Sequence, residues 1–152
     1  MREELIVFIT AMLPIAELRG ALPLALEVYG FSIPKAVLLS IIGNIIPVFF
    51  ILWWINPVSI FLSKHSPLFK RFFYWLFERT RRKYLEKHQR VGDLALILFV
   101  AIPLPVTGAW TGALAAWLFG IKTKNALFSI FIGLIIAAII VTSITLGISL
   151  AF

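Results

Sequence analysis

The sequence predicts an all-α integral membrane protein built as an inverted repeat. Each repeat is a re-entrant helical hairpin followed by one transmembrane helix, and a basic amphipathic interfacial helix lies between the repeats. Three observations predict this. The 152 residues are 61% hydrophobic and 14% charged, with a mean hydropathy of +1.02, whereas soluble domains carry about 45–50% apolar and roughly 25% charged residues. Two apolar runs, 33–55 and 126–150, are long enough to cross a bilayer. Two shorter apolar stretches, broken by Gly and Pro, precede those runs at matching positions in the two halves.

In chain order, residues 5–26 are apolar apart from Glu17 and Arg19, and are interrupted by Pro14, Gly20 and Pro23. They read either as one kinked span or as a hairpin with a turn at 15–20. The arm 3–13 measures about 16 Å as a helix, roughly half the hydrocarbon thickness. Irregular backbone at membrane depth is tolerated only where protein or water covers it, so a hairpin here lines a cavity. The span 33–55 follows, about 35 Å long as a helix, with Pro34 suited to its first turn and a break expected at Asn56-Pro57. Residues 67–90 place Phe69, Phe72, Phe73 and Leu76 at helical spacing beside Arg79, Arg81, Arg82 and Lys83, the pattern of an amphipathic helix on a membrane surface. In the second half an arm at 94–102 is broken by Pro103-Leu104-Pro105-Val106-Thr107-Gly108. A second arm follows at 109–119 and then the span 126–150.

The halves match at an offset of 90 residues: Leu24, Ala25, Gly30, Ala36, Ile42, Gly43, Ile45 and Ile46 recur as Leu114, Ala115, Gly120, Ala126, Ile132, Gly133, Ile135 and Ile136. The chain therefore divides as one membrane domain, 1–152, with repeat one at 3–62, a basic segment at 63–92 and repeat two at 93–152. A hairpin returns to its own side and the following span crosses once, so the second repeat starts on the opposite face. That topology puts 11 of the 14 Lys and Arg on one side. The rival arrangement of four full spans separates the charges slightly less well.

Net charge is +7, and nine of the 14 basic residues lie in 64–90. Flanked by apolar runs, that segment reads as cytoplasmic under the positive-inside bias rather than as a nucleic-acid surface. The localisation expected is the cytoplasmic (inner) membrane, multi-pass. The absence of cysteine excludes disulfides and thiol chemistry. His65 and His88 sit among basic residues away from any acidic cluster, so no metal and no cofactor is expected. No catalytic constellation appears, and the chain reads as no enzyme. Met1-Arg2-Glu3-Glu4 is a poor signal-peptide start, so the first apolar segment is expected to be retained.

Glu17 and Arg19 each cost about 2.5–3.5 kcal/mol at the centre of a spanning helix, which argues against a lipid-facing position. Such charges pair or face a cavity and are candidate substrate or ion contacts. The plain structural alternative is mutual neutralisation and capping of short helices. Gly20 lies beside them. In the second hairpin, Pro105, Thr107, Gly108, Trp110, Thr111 and Gly112 carry no charge, but offer hydroxyls and close backbone approach. If the hairpin tips meet, free amides there favour an anionic group; the alternative is packing through small residues. Asn44 stands where the other repeat has Leu134, which marks either a role of that half alone or an interhelical hydrogen bond. Glu27, near the end of an arm, reads as interfacial in preference to a proton carrier.

At Glu17-Leu18-Arg19-Gly20-Ala21-Leu22-Pro23, Gly43-Asn44 with Pro47, Phe99-Val100-Ala101-Ile102-Pro103-Leu104-Pro105 and Thr107-Gly108-Ala109-Trp110-Thr111-Gly112-Ala113-Leu114, the chain resembles the small multidrug export family of prokaryotic membrane proteins. The hairpin-plus-span repeat is more distantly similar to the DedA/VTT group, members of which are implicated in moving lipids across membranes. The second hairpin departs from that group in lacking an arginine.

Together these features predict a transporter of a small amphipathic or anionic lipid-like substrate, working by alternating access at the hairpin tips. Membrane lipids, a proton or ion as coupling partner, and a second copy in a homodimer are the expected partners. An exporter of hydrophobic cations and a non-transporting membrane scaffold are the alternatives.

Overall fold

A computed structural model describes residues 2–81, 89–104 and 107–151. All regular structure among them is helical: α1 (Arg2–Met12), α2 (Glu17–Pro23) running into a π-helical turn (Leu24–Val28), α3 (Ile33–His65), α4 (Pro67–Arg81), α5 (Gln89–Ala101), α6 (Ala109–Phe119) and α7 (Thr123–Ala151).

Helix α1 opens with Glu3 and Glu4 in its first turn, where carboxylates complement the helix dipole. It ends ahead of Pro14, because a residue before proline is pushed out of the α region. The chain turns with Leu13 N–H on the Thr10 carbonyl at 3.2 Å and Glu17 N–H on the Leu13 carbonyl at 2.9 Å. The turn is shorter than the expected 15–20: Glu17, Arg19 and Gly20 lie inside α2. Pro23 has no N–H to continue the ladder, and the helix widens after it, with Tyr29 N–H reaching back five residues to the Leu24 carbonyl at 3.2 Å.

Helix α3 runs 33 residues, about 50 Å, and passes straight through Asn56-Pro57, where a break was expected. The Asn56 side chain, which in a turn would bond its own backbone, instead accepts the Trp117 indole N–H at 2.7 Å. Ser59 and Ser63 hydroxyls donate to the Asn56 and Ser59 carbonyls at 2.8 and 2.7 Å. Lys64 and His65 close the helix, favourable at its C-terminal end. Helix α4 covers 67–81 of the predicted amphipathic stretch; residues 82–88 lie outside the described part. Gly120, at φ +70°, ends α6 in the left-handed conformation, with Ile121 N–H on the Ala116 carbonyl.

The order short helix, short helix, long helix occurs twice, and the long helices begin at Ile33 and Thr123, 90 residues apart. Their aligned glycines carry equivalent packing. A Cβ on Gly43 would stand 2.6 Å from the Phe8 carbonyl oxygen and 2.9 Å from Ala11 Cβ, and one on Gly133 would stand 2.7 Å from Val100 Cβ and 3.0 Å from the Ile97 carbonyl oxygen. Each glycine thus lets the first short helix of its half lie directly on the long one. The core is rich in small residues (Ala11, Ala21, Ala109, Ala113, Ala137), as in membrane helix packing. Helices α3 and α7 are long and apolar enough to cross a membrane. They expose the large apolar side chains Phe50, Trp53, Trp54, Phe128 and Ile139.

Candidate functional site

The first amides of a helix have no partner within it and are usually capped by the side chain preceding them. Helix α6 has Gly108 at that place and so no cap of its own. Its cap comes from the other half of the chain. Glu17 Oε2 accepts the Ala109 N–H at 3.3 Å and Oε1 accepts the Trp110 N–H at 3.2 Å. Glu17 is 3% exposed, and the positive end of α6 favours the charge of its carboxylate. A Cβ at Gly108 would overlap the Glu17 carboxylate, so the glycine is required by close approach.

Arg19 completes the junction. Its Nη2 lies 3.4 Å from Glu17 Oε2 and donates to the Thr107 backbone carbonyl. Glu17 is the one described non-glycine residue at positive φ, +48°, a conformation that costs about 1–2 kcal/mol. Its two amide bonds and its ion pair offset that strain.

The Thr107 hydroxyl donates to the Ile102 carbonyl at 2.6 Å and accepts the Leu104 N–H at 3.1 Å, lacing the turn that leads into α6. The Trp110 indole donates to the Met12 carbonyl at 3.2 Å, covering the end of α1. Five of the residues singled out from the sequence therefore converge: Glu17, Arg19, Thr107, Gly108 and Trp110.

None of the remaining described residues bonds the side chains of Glu17 or Arg19. Thr111 spends its hydroxyl on the Gly108 carbonyl at 3.3 Å. Gly112 is a packing position, since a Cβ there would stand 2.7 Å from Val100 Cγ2, and at Gly20 a Cβ would stand 3.0 Å from Ala16 Cβ. Asn44 is fully buried in α3, and neither of its amide atoms has a hydrogen-bond partner among the described residues. The interhelical hydrogen bond, one of its two readings, is not formed among the described residues. Pro105 lies outside the described residues.

One feature escaped the sequence reading. A cavity of about 500 Å³ extends from Arg19 along Pro23 and Glu27 to one face of α7 between Val141 and Ser149, with Pro103 also on its wall. Its signal was present as two helical stripes, 19/23/27 and 141/144/145/148/149, but nothing in the sequence says that they face each other. Among the described residues no His/Cys/Asp/Glu group could hold a metal.

The fold and junction define a helical membrane protein with a part-buried ion pair where its two halves meet. The chain belongs to the family described as "Putative small multi-drug export protein", whose model matches residues 17–140 and so begins at the junction carboxylate. No curated protein and no solved structure matches the chain.

Proposed function

We propose that the protein is a transporter of the cytoplasmic membrane that moves small amphipathic molecules by alternating access at two re-entrant hairpin tips. The observation that carries this reading is the Glu17–α6 cap. The tip of the first helical pair is fixed to the tip of the second by a buried carboxylate and by Arg19. Helix lengths support it: α1, α2 with its π turn, α5 and α6 each run 11 to 13 residues, about 16–20 Å, against a hydrocarbon thickness of about 30 Å. Such elements reach the midplane and return.

With α3 and α7 each crossing once, the two repeats are inverted. The segment 64–90 then faces the cytoplasm with Lys122 and Lys124. A dimer would close the wall that two spans leave thin. The Arg19 charge is already balanced by Glu17 and the Thr107 carbonyl, so an amphipathic substrate fits the site better than an anionic lipid.

Flux in proteoliposomes tests the reading. Wild-type protein is expected to move a fluorescent amphipathic dye or a short-chain labelled lipid, and Gly108→Ala to lose that flux. A folded wild-type protein that moves neither would refute transport and favour the scaffold.

A further inference from the structure

The cavity beside Arg19 has a built-in asymmetry that the repeat makes visible. At the offset of 90 residues, Arg19, Pro23 and Glu27 correspond to Ala109, Ala113 and Trp117. On the α6 side, Ala109 and Ala113 are fully buried, and Trp117 is 9% exposed with its indole held on Asn56. The large ring takes up that space. On the α2 side, the position of Trp117 is held by the smaller Glu27, which is exposed, and the space is the cavity of about 500 Å³. Pockets for drug-sized ligands span about 300–1,000 Å³.

The charge facing this cavity has a definite sign. The Arg19 guanidinium is neutralised by the Glu17 carboxylate at 3.4 Å and bound to the Thr107 carbonyl. Glu27 has no ion pair among the described residues, where the pairs are Glu17–Arg19 and Lys35–Glu4. It sits in the last turn of the α2–π segment, where the carbonyl end of the helix adds negative potential. The α7 wall is apolar at Val141, Ile144 and Ile148, with Thr145 and Ser149 beside them. A carboxylate at the rim of an apolar pocket selects a molecule with a hydrophobic body and a positive charge.

We infer that this cavity binds a lipophilic cation, with Glu27 as the group that receives the positive charge. Trp117 is the counterpart that keeps the equivalent space on the α6 side filled. The inference rests on the transporter reading for its biological meaning, but its binding test does not depend on flux.

The probe is tetraphenylphosphonium, with tetraphenylborate as an anion of the same shape, each measured by equilibrium dialysis against the purified protein in nanodiscs. Tetraphenylphosphonium is expected to bind saturably and tetraphenylborate to partition without saturation. Glu27→Gln is expected to weaken the cation at least tenfold and Glu27→Asp to restore part of the affinity. Ile148→Trp, which fills the cavity from an exposed position, is expected to abolish binding with the melting temperature unchanged. Unchanged cation affinity in Glu27→Gln, or saturable tetraphenylborate binding that needs Arg19, overturns the inference. Cation binding through Glu27 without any flux supports this site and refutes transport. Flux with no dependence of binding on Glu27 refutes this site and leaves transport standing.

Discussion

Replacing Gly108 with alanine tests the junction most sharply, because the two atoms in conflict are known. The added Cβ would overlap the Glu17 carboxylate, which must then leave the Ala109 and Trp110 amides. Hydrogen bonds to a charged group contribute about 1.5–3 kcal/mol each. Part of that returns if the displaced carboxylate keeps Arg19, so the net cost is about 2–4 kcal/mol. On the soluble-protein scaling of about 2–4 °C per kcal/mol at this size, the melting temperature in detergent falls by roughly 5–15 °C. The control is a double-mutant cycle. In a Glu17→Ala background the clash is gone, so Gly108→Ala costs less than about 1 kcal/mol and the coupling energy is about 1–3 kcal/mol. Strictly additive costs would refute the cap as the reason for the glycine.

Four further predictions follow from packing and charge. Gly43→Ala and Gly133→Ala each destabilise by about 1–3 kcal/mol through overpacking against α1 and α5. Gly147→Ala, with open space around it, stabilises by about 0.5–1 kcal/mol; thermal melts of all three should rank in that order. Asn44→Leu, which installs the residue of the other repeat, removes a buried amide without partners among the described residues and raises the melting temperature by an amount equivalent to about 1–2 kcal/mol; a fall would mean that the amide is paired. Trp117→Phe strands the Asn56 side-chain oxygen and costs about 1–3 kcal/mol, read as an earlier midpoint in the same melts. Finally, Lys35, 2.6 Å away, holds the Glu4 carboxyl down at about 2. Because the folded value is depressed, this contribution is complete above the ordinary value of 4.5 and is lost as pH falls through about 2. Lys35→Met should flatten that acid limb of the stability profile.

How far the site could be read from sequence depended on what kind of group carried each contact. Glu17 and Arg19 stood out because charge in an apolar run is costly. Their mutual neutralisation and the capping of a short helix were legible as the plain alternative, but not which groups take part, since the Ala109 and Trp110 amides and the Thr107 carbonyl are backbone groups that every residue has. Helix α6 was legible at 109–119 because the Pro- and Gly-containing run 103–108 precedes it and Lys122 and Lys124 follow it. The Asn56-Pro57 break was misjudged because the partner that occupies Asn56, Trp117, lies 61 residues away in sequence. Local turn chemistry gave no hint of it. The cavity was missed for the same reason: each wall is a legible stripe, but their pairing is tertiary.

The inverted repeat is the central claim, and the lack of native cysteine makes it directly testable. Ser32 precedes α3 and Thr123 opens α7, so Ser32→Cys and Thr123→Cys mark the starts of the two long helices. An impermeant thiol reagent applied to intact cells is predicted to label Ser32→Cys and to reach Thr123→Cys only after the membrane is opened. Labelling of both from the same face would contradict the hairpins, the inversion and the transport pathway built on them.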